Sequence, residues 1–149
     1  MANIKGRIKA ISISEEKGTR KHNVGGAELK INSGLTGDAH AGNWHRQVSL
    51  LAWESIEKMR AKGPDLKTGD FAENITTEGI DLQALNLGSK IRLGPIAEIQ
   101  VTQFGKQCNH KCEILKLVGQ CIMPKEGIFA KVIKPGRIQT NDSMEVIDD

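Results

Sequence analysis

The chain has 149 residues and a formal net charge of +3, with acidic and basic residues interspersed. No concentrated basic stripe and few aromatic rings are present, which argues against nucleic-acid binding, and no apolar run approaches the ~18 residues of a membrane span. No apolar segment of a secretory signal follows Met1. We therefore expect a single cytoplasmic domain over residues 1–149 whose three cysteines are reduced.

Short apolar segments separated by turns predict a mainly β fold. Residues 4–13 alternate apolar and charged side chains, and the alternation slips at Ala10, which predicts a bulged strand. The other predicted strands are residues 24–31, 47–51, 91–93, 96–101, 128–133 and 144–147. Turns are predicted at Gly94-Pro95, at Pro135-Gly136 and at Asn141-Asp142.

Two short helices are predicted among these strands. Residues 52–62 place Trp53, Ile56 and Met59 at helical spacing, and Gly63-Pro64 ends the pattern. Residues 113–118 form the second predicted helix. Many short strands with few helices are typical of a β-barrel or a β-sandwich, and the periodicity does not choose between them.

Three segments carry more polar chemistry than turns require. The first, residues 34–51, places Asp38, His40, His45, Arg46 and Gln47 directly before an apolar strand. An arginine beside a histidine and backbone amides suits an anion pocket, because a guanidinium matches phosphate or carboxylate bidentately. The alternative is a polar loop whose histidines are solvated or hydrogen-bonded.

The second polar segment, residues 69–82, contains Asp70, Glu73 and Asn74. These side chains are candidates for lining a cavity. Equally, Glu73 and Asn74 suit the satisfaction of backbone groups within a loop. Composition favours this second interpretation slightly.

The third segment, residues 103–121, holds all three cysteines. Cys108 and Cys112 share one face if the segment is helical, but Cys-x3-Cys is not the usual knuckle of a structural zinc site. Adding His110 and Cys121 gives a Cys3His donor set, whereas buried free cysteines are the simpler alternative. Lys106 and His110 flank Cys108, which makes it the best candidate for a reactive thiolate.

Together these segments resemble the MOSC domain family, named for the C-terminal domain of molybdenum cofactor sulfurases. The resemblance rests on "GDAHAG" with "RQVSLL", then "GDFAENI", then "LGSKIRLGPIAEIQVTQFGKQC", and finally "GIFAKVIKPGRIQTNDSMEVI". It covers nearly the whole chain. It implies a β-barrel-like fold with a few short flanking helices.

The resemblance also implies a function. Family members are expected to bind a molybdenum or tungsten pterin cofactor, or to carry sulfur for the maturation of metal–sulfur cofactors. Cys108 matches the family's cysteine and would coordinate molybdenum or hold a persulfide, with Cys112, Cys121 and His110 as further candidate metal ligands. The implied cofactor-binding residues are Asp38, His40, Arg46, Asp70, Glu73, Asn74, Gln103 and Lys106.

This chain departs from the family pattern at the cysteine. Small members often end the matching segment in a Pro-Arg-x-Pro-Cys-like sequence, whereas here it reads "FGKQC", so Lys106 is the available cation. Cys112 and Cys121 are additional. No aminotransferase-like domain is present, so pyridoxal phosphate enters only through the family name and not through any lysine of this chain.

Two other functions stay open at this point. One is a metal-binding module in which the cysteine cluster holds zinc or an iron–sulfur cluster. The other is a non-catalytic domain that recruits a molybdoenzyme or a cofactor-biosynthesis protein. The sequence does not decide between molybdenum and tungsten, whether anything is turned over, or the oligomeric state.

Overall fold

A computed structural model describes residues 4–17, 19–61, 65–105 and 122–147 of the chain. The helices in these ranges are α1 (Trp53–Arg60) and α2 (Met123–Glu126), and a 3-10 turn lies at Leu82–Ala84. The strands are β1 (Lys5–Ile13), β2 (His22–Asn23), β3 (Gly26–Lys30), β4 (Gly34–Leu35), β5 (Val48–Ala52), β6 (Ile75–Glu78), β7 (Lys90–Leu93), β8 (Ala97–Phe104), β9 (Ile128–Lys134), β10 (Gly136–Gln139) and β11 (Ser143–Val146).

Seven of these strands close into a barrel. They follow the order β11-β7-β8-β9-β5-β6-β1, and β1 pairs back onto β11. All of these pairs are antiparallel except β5 with β6, which α1 connects. Closure removes the unpaired edges that an open sheet leaves. The predicted mainly β, barrel-like fold is therefore confirmed. Of the two architectures that the periodicity left open, the structure is a barrel and not a sandwich.

Two smaller features flank the barrel. The short strand β2 pairs with the end of β1, and β10, β3 and β4 form a separate three-stranded sheet. No helix within the described ranges has the length and apolar character needed to cross a bilayer.

Aliphatic side chains fill the barrel. Each strand alternates its faces, so on β5 the buried Leu50 points into the barrel while the neighbouring Leu51 points out. Outside the barrel, Leu51 joins Ile56 of α1 and two aromatic side chains, Phe71 and Phe129, in a second apolar cluster. This second cluster holds α1 and the loop before β6 against the barrel wall.

The predicted strands and the helix predicted over residues 52–62 are present, but several observed elements were not predicted. The bulge predicted in β1 is present, as a register shift between Ile8 and Ala10. Strand β6 was not predicted, because the buried Thr76 and Thr77 gave the segment a polar appearance. Strand β10 begins at Gly136, where a turn was predicted. The two-residue strands β2 and β4, the four-residue helix α2 and the 3-10 turn were also not predicted, because such short elements have no periodicity to recognise. The predicted helix over 113–118 lies outside the described residues.

Candidate functional site

A buried ion pair lies at the centre of the first polar segment. Lys21 and Asp38 have fully buried side chains, and Lys21 Nζ is 2.7 Å from Asp38 Oδ1. The same ammonium donates to Ser14 Oγ at 3.0 Å and lies 3.1 Å from His40 Nδ1. The described contacts of this buried cation thus include two oxygen acceptors and an imidazole nitrogen, which offset much of its cost of desolvation.

Backbone hydrogen bonds also fix the position of the Asp38 carboxylate. It accepts hydrogen bonds from the backbone amides of Ser14 at 3.1 Å and His40 at 3.0 Å. Burial by itself raises the pKa of Asp38, but hydrogen bonds from His40 and Lys21 and the charge of Lys21 together hold that pKa well below its ordinary value of 3.8. Asp38 therefore stays ionised and fixes the course of the loop before β5.

The loop before β6 is organised around Glu73, which is fully buried. Glu73 Oε2 accepts from Gly69 N at 2.9 Å and from Thr76 Oγ1 at 2.6 Å, and Oε1 accepts from Phe71 N at 3.2 Å. Loss of water raises the pKa of Glu73 above its ordinary value of 4.5, against the lowering effect of these hydrogen bonds. The described contacts of Glu73 are those of a residue that shapes its own loop.

Gly69 joins this loop to the ion pair. Its carbonyl oxygen accepts from Lys21 N at 2.9 Å. Its φ is +89°, a conformation that side chains rarely adopt, and a Cβ here would collide with the carbonyl oxygen of Lys21. Glycine at this position therefore lets the loop before β6 lie directly against Lys21.

Asn74 and Asp70 also make bonds within the protein. Asn74 Oδ1 accepts from Ser49 N of β5 at 3.0 Å, and Nδ2 donates to Ser12 O of β1 at 3.1 Å. Asp70 Oδ2 accepts from Lys67 N at 2.8 Å, which closes a turn. Both residues thus hold strands and loops in place, and their roles in binding stay predictions.

Arg46 differs from these groups, because none of the described residues pairs with its charge. Its guanidinium carbon lies 4.6 Å from the centre of the Trp44 ring and 5.6 Å from that of Phe129. Arg46 Nε is buried without a hydrogen-bond partner, and none of the described residues pairs its charge with a carboxylate. A polar atom in this condition requires an explanation. Stacking on aromatic rings holds the cation while leaving its N–H groups for another acceptor.

Trp44 connects Arg46 to the buried ion pair. Its ring lies parallel to that of His40, with 6.5 Å between centroids, and its Nε1 donates to His40 O at 2.8 Å. Lys17 Nζ lies 4.7 Å from the ring centre, so a second cation approaches the same indole. Asp38, His40 and Arg46, which the sequence selected, are therefore brought together by Trp44, which it did not select.

The end of β8 is tied to the same loop. Gln103 Oε1 lies 2.7 Å from His45 Nε2, and Gln103 Nε2 donates to Gly105 O at 2.7 Å. Thr102 Oγ1 donates to His45 O. Gln103 is thus placed beside the Arg46 loop, at the point where the chain runs toward the cysteine segment.

The predicted thiol and metal ligands cannot be placed in this way. Lys106, Cys108, His110, Cys112 and Cys121 all lie outside the described residues. Within residues 4–17, 19–61, 65–105 and 122–147, no group of three or more histidine, cysteine, aspartate or glutamate side chains could hold a metal ion.

Sequence reasoning missed Lys21, whose side chain is fully buried in the site. It lies in the stretch "KGTRKH", which resembles an ordinary solvated basic run. Nothing in that stretch distinguishes Lys21 from Lys17 or Arg20. Only Asp38, 17 residues further along the chain, explains why Lys21 is buried.

A closed barrel whose wall carries an anchored loop, a buried lysine paired with Asp38 and an arginine without a partner among the described residues defines a β-barrel domain. The chain belongs to the MOSC domain family, whose model matches residues 37–145. That family is associated with molybdenum-cofactor-related proteins.

Solved structures with a similar fold include three bacterial proteins. YuaD from Bacillus subtilis is 19% identical, with a TM-score of 0.78 over 95% of each chain. YiiM from Geobacillus stearothermophilus is 19% identical, with a TM-score of 0.72 over 96% of this chain and 75% of that one. YiiM from Escherichia coli is 22% identical, with a TM-score of 0.69 over 96% and 70%. These likenesses show the fold alone, and no curated protein matches the sequence.

Proposed function

We propose that this domain binds a molybdenum or tungsten pterin cofactor, or carries sulfur for such a cofactor on Cys108. Arg46 is the observation that carries this proposal. Its guanidinium is stacked on Trp44 and near Phe129, has a buried Nε without a partner, and is not neutralised by any described carboxylate. A phosphate would supply the missing acceptor and the missing charge in one bidentate contact.

The described residues fit the phosphate end of such a cofactor. Arg46 would meet the phosphate, Gln103 would hydrogen-bond the pterin, and Lys106, which lies outside the described residues, is proposed as a second phosphate contact. Five other predicted site residues would hold the loops around the phosphate, because their described polar atoms bond mainly to protein groups. These residues are Asp38, His40, Asp70, Glu73 and Asn74. When bound, the cofactor would supply sulfur- or oxygen-transfer chemistry at its metal, which Cys108 is proposed to approach.

Fluorescence of Trp44 offers a direct test. In a Trp53→Phe background Trp44 is the remaining indole, and cofactor freshly released from a denatured molybdoenzyme is added without oxygen. We expect saturable quenching that weakens about 10- to 100-fold in Arg46→Gln, the effect of losing a charge-assisted hydrogen-bond pair. The matched control is Arg60→Gln, since Arg60 is an exposed arginine on α1 that stacks on Trp53 instead.

The outcomes of this titration separate clearly. Equal affinities of the parent and Arg46→Gln contradict the phosphate contact. Equal losses in Arg46→Gln and Arg60→Gln indicate a general charge effect rather than a site. Quenching absent from the parent contradicts cofactor binding.

The sulfur-carrier form has its own measurement. Cys108 thiolate would attack the outer sulfur of a donor persulfide, forming a new S–S bond while the donor leaves as a thiolate. Protein purified without oxygen is then expected to gain the mass of one sulfur atom. Cys108→Ser abolishes that gain and Cys112→Ser retains it. Mass spectrometry measures this gain, and mass spectra recorded under native conditions also detect bound zinc or iron. The metal-binding alternative is therefore tested together with the persulfide.

Failure of both measurements removes the ligand-based proposal. Complex formation with a molybdoenzyme or a cofactor-biosynthesis protein would then be the remaining candidate, in a domain that we place in the cytoplasm.

A further inference from the structure

We propose that a groove beside the Arg46 loop (residues 43–47) binds a planar heterocycle that carries a carbonyl acceptor and a negative charge. The groove has a volume of about 480 Å³, within the range of small-molecule pockets, and lies between this loop, residues 31–32 and strand β9. Its central residue, Gln47, has no part in the proposed function, so the two proposals stand separately.

Gln47 supplies a buried hydrogen-bond donor to the groove. This residue is 3% exposed, and its Oε1 accepts from Val132 N at 2.9 Å. Because a backbone N–H can only donate, this contact fixes the orientation of the amide, and Nε2 is the end that remains. None of the described residues accepts a hydrogen bond from Gln47 Nε2, and this atom is not sealed inside the protein. Gln47 lines the groove, so its two N–H donors remain for an acceptor placed there.

Lys131 gives the groove its charge. It is exposed on β9, directly before Val132, and lines the groove. None of the described carboxylates pairs with it, and the described lining residues include no aspartate or glutamate. A negatively charged ligand would therefore meet one cation and no opposing carboxylate, beside the donors of Gln47.

The apolar part of the lining favours a ring. Ile31 is 49% exposed and faces the groove together with the half-buried Trp44. Trp44 Nε1 already donates to His40 O, so its indole offers apolar ring surface rather than a donor. Aromatic rings attract one another edge-on or offset. A pterin or an oxopurine combines a flat ring with a carbonyl acceptor, and an acidic substituent would complete the contact with Lys131.

Hydrogen bonds fix the loop wall of the groove to the barrel. Thr102 Oγ1 of β8 donates to His45 O, and Gln103 Oε1 lies 2.7 Å from His45 Nε2. On the other side, Val132 of β9 holds the Gln47 amide. A wall that is held in this way loses little conformational freedom when a ligand binds, which favours affinity.

Titration of ¹⁵N-labelled protein with pterin-6-carboxylate tests the groove directly. This compound carries the ring, the carbonyl and the negative charge, but no phosphate. We expect saturable shifts of the Gln47 side-chain amide and of the Val132 backbone amide, with a Kd of about 1 mM or tighter. Gln47→Glu identifies the Gln47 signals by their loss. Saturable binding that leaves both signals unmoved, or no saturable binding, overturns the proposal.

Gln47→Glu also tests the donor. Its carboxylate keeps an acceptor for Val132 N but replaces the N–H donors with oxygen, so we expect the affinity to fall at least about tenfold. The matched control is Gln139→Glu, because Gln139 is exposed and lies outside the groove. It should stay within about threefold of the parent. Equal affinities of Gln47→Glu and the parent contradict the donor role.

Lys131→Glu tests the charge at an exposed position, where the fold is not at risk. We expect the affinity for pterin-6-carboxylate to fall about five- to tenfold, whereas Lys125→Glu, an equal charge change on the exposed face of α2, should have little effect. Arg46→Gln should stay within about threefold of the parent. A loss in Arg46→Gln as large as that in Gln47→Glu would place the compound at Arg46 and overturn the groove.

Two sources share this ligand chemistry, namely the ring of the cofactor proposed above and a free pterin or oxopurine. Displacement of pterin-6-carboxylate by the cofactor, with weaker cofactor binding in Gln47→Glu, assigns the groove to the cofactor ring. Simultaneous binding assigns it to a separate small molecule.

The groove and the proposed function fail separately. Binding of pterin-6-carboxylate that depends on Gln47, without cofactor binding, retains the groove and contradicts the cofactor function. Cofactor binding that depends on Arg46, without any binding of pterin-6-carboxylate, does the reverse.

Discussion

Two cations lie on either side of the His40–Trp44 stack, and they are treated in opposite ways. Lys21 is fully buried and surrounded by Asp38, Ser14 and His40. Arg46 is partly exposed, lies on aromatic rings and has no described hydrogen-bond partner. Both carry one positive charge, but of the two only Lys21 has a carboxylate partner among the described residues.

This difference separates two uses of charge. A buried pair contributes to structure, because removal of either partner leaves an uncompensated charge in a medium of low dielectric constant. An unpaired cation held by ring stacking contributes little to folding and remains available to an anion. Lys21 should therefore matter mainly for stability and Arg46 mainly for binding, and the following variants test that division.

The largest effect is expected for Lys21→Met. It leaves the Asp38 carboxylate buried beside a methionine, so the free energy of unfolding should fall by about 3–5 kcal/mol. Urea denaturation measures the loss. The exposed Lys30→Met serves as the matched control, with a change within about 0.5 kcal/mol. Equal losses in the two variants would contradict a structural ion pair.

A smaller loss is expected for Asn74→Ala. The change removes the bonds to Ser49 N and Ser12 O and leaves both backbone groups buried, which costs about 2–3 kcal/mol. Denaturation of Asn74→Ala is compared with that of Asn86→Ala, since the Asn86 side chain is exposed. Indistinguishable midpoints would mean that Asn74 does not clamp β1 to β5, and would favour its predicted role in binding.

The ion pair also predicts how stability depends on acid. Because the pKa of Asp38 is lower in the folded than in the unfolded chain, its contribution is present above the ordinary value of 3.8 and is lost as pH falls below it. Glu73 has the opposite sign, since its raised pKa favours the folded state below 4.5 and this contribution is lost as pH rises through the folded pKa.

Unfolding free energies measured from about pH 3 to about pH 7 test these signs. The double variant Lys21→Met with Asp38→Asn should lose less stability than the parent between about pH 4 and about pH 3. A parallel acid dependence of the two proteins would show that other carboxylates govern the transition.

The smallest effect on folding is expected for Arg46→Gln. Because Arg46 has no described hydrogen bond or ion pair to lose, only its stacking on Trp44 and Phe129 disappears, worth about 1 kcal/mol or less. Thermal unfolding measures this loss. A destabilisation as large as that of Lys21→Met would mean that Arg46 is a structural residue and would remove the main support for an anion site.

Local pattern predicted much of the barrel. The alternation in β1 and its bulge, the helical spacing of Trp53 and Ile56, and the apolar β5 all depend on neighbours a few residues apart. Strand β6 was not predicted, because its two threonines are buried among partners contributed by distant strands. Periodicity also could not distinguish a barrel from a sandwich, because closure depends on β1 meeting β11, the first strand meeting the last.

Residue chemistry selected some of the residues that the structure brings together, and their roles in binding stay predictions. It selected Arg46 as a cation suited to an anion, and Arg46 Nε has no hydrogen-bond partner among the described residues. The same reasoning selected Asp38 and Glu73 as ligand contacts without showing that their oxygens bond to Ser14, His40, Gly69 and Phe71. Hydrogen-bond partners at such sequence distances have no local pattern.

The sequence by itself determined the barrel family, the strand-to-cysteine segment ending at Cys108, and the supply of charges around Asp38, His40 and Arg46. Only the tertiary structure decided which of the two cations, Lys21 or Arg46, is fully buried beside a carboxylate and which lies on aromatic rings. The physical reason is that burial, and the partner that makes burial tolerable, are properties of where the chain folds rather than of residue type. Lys21 is buried because Asp38 contacts it, whereas the described neighbours of Arg46 are the rings of Trp44 and Phe129.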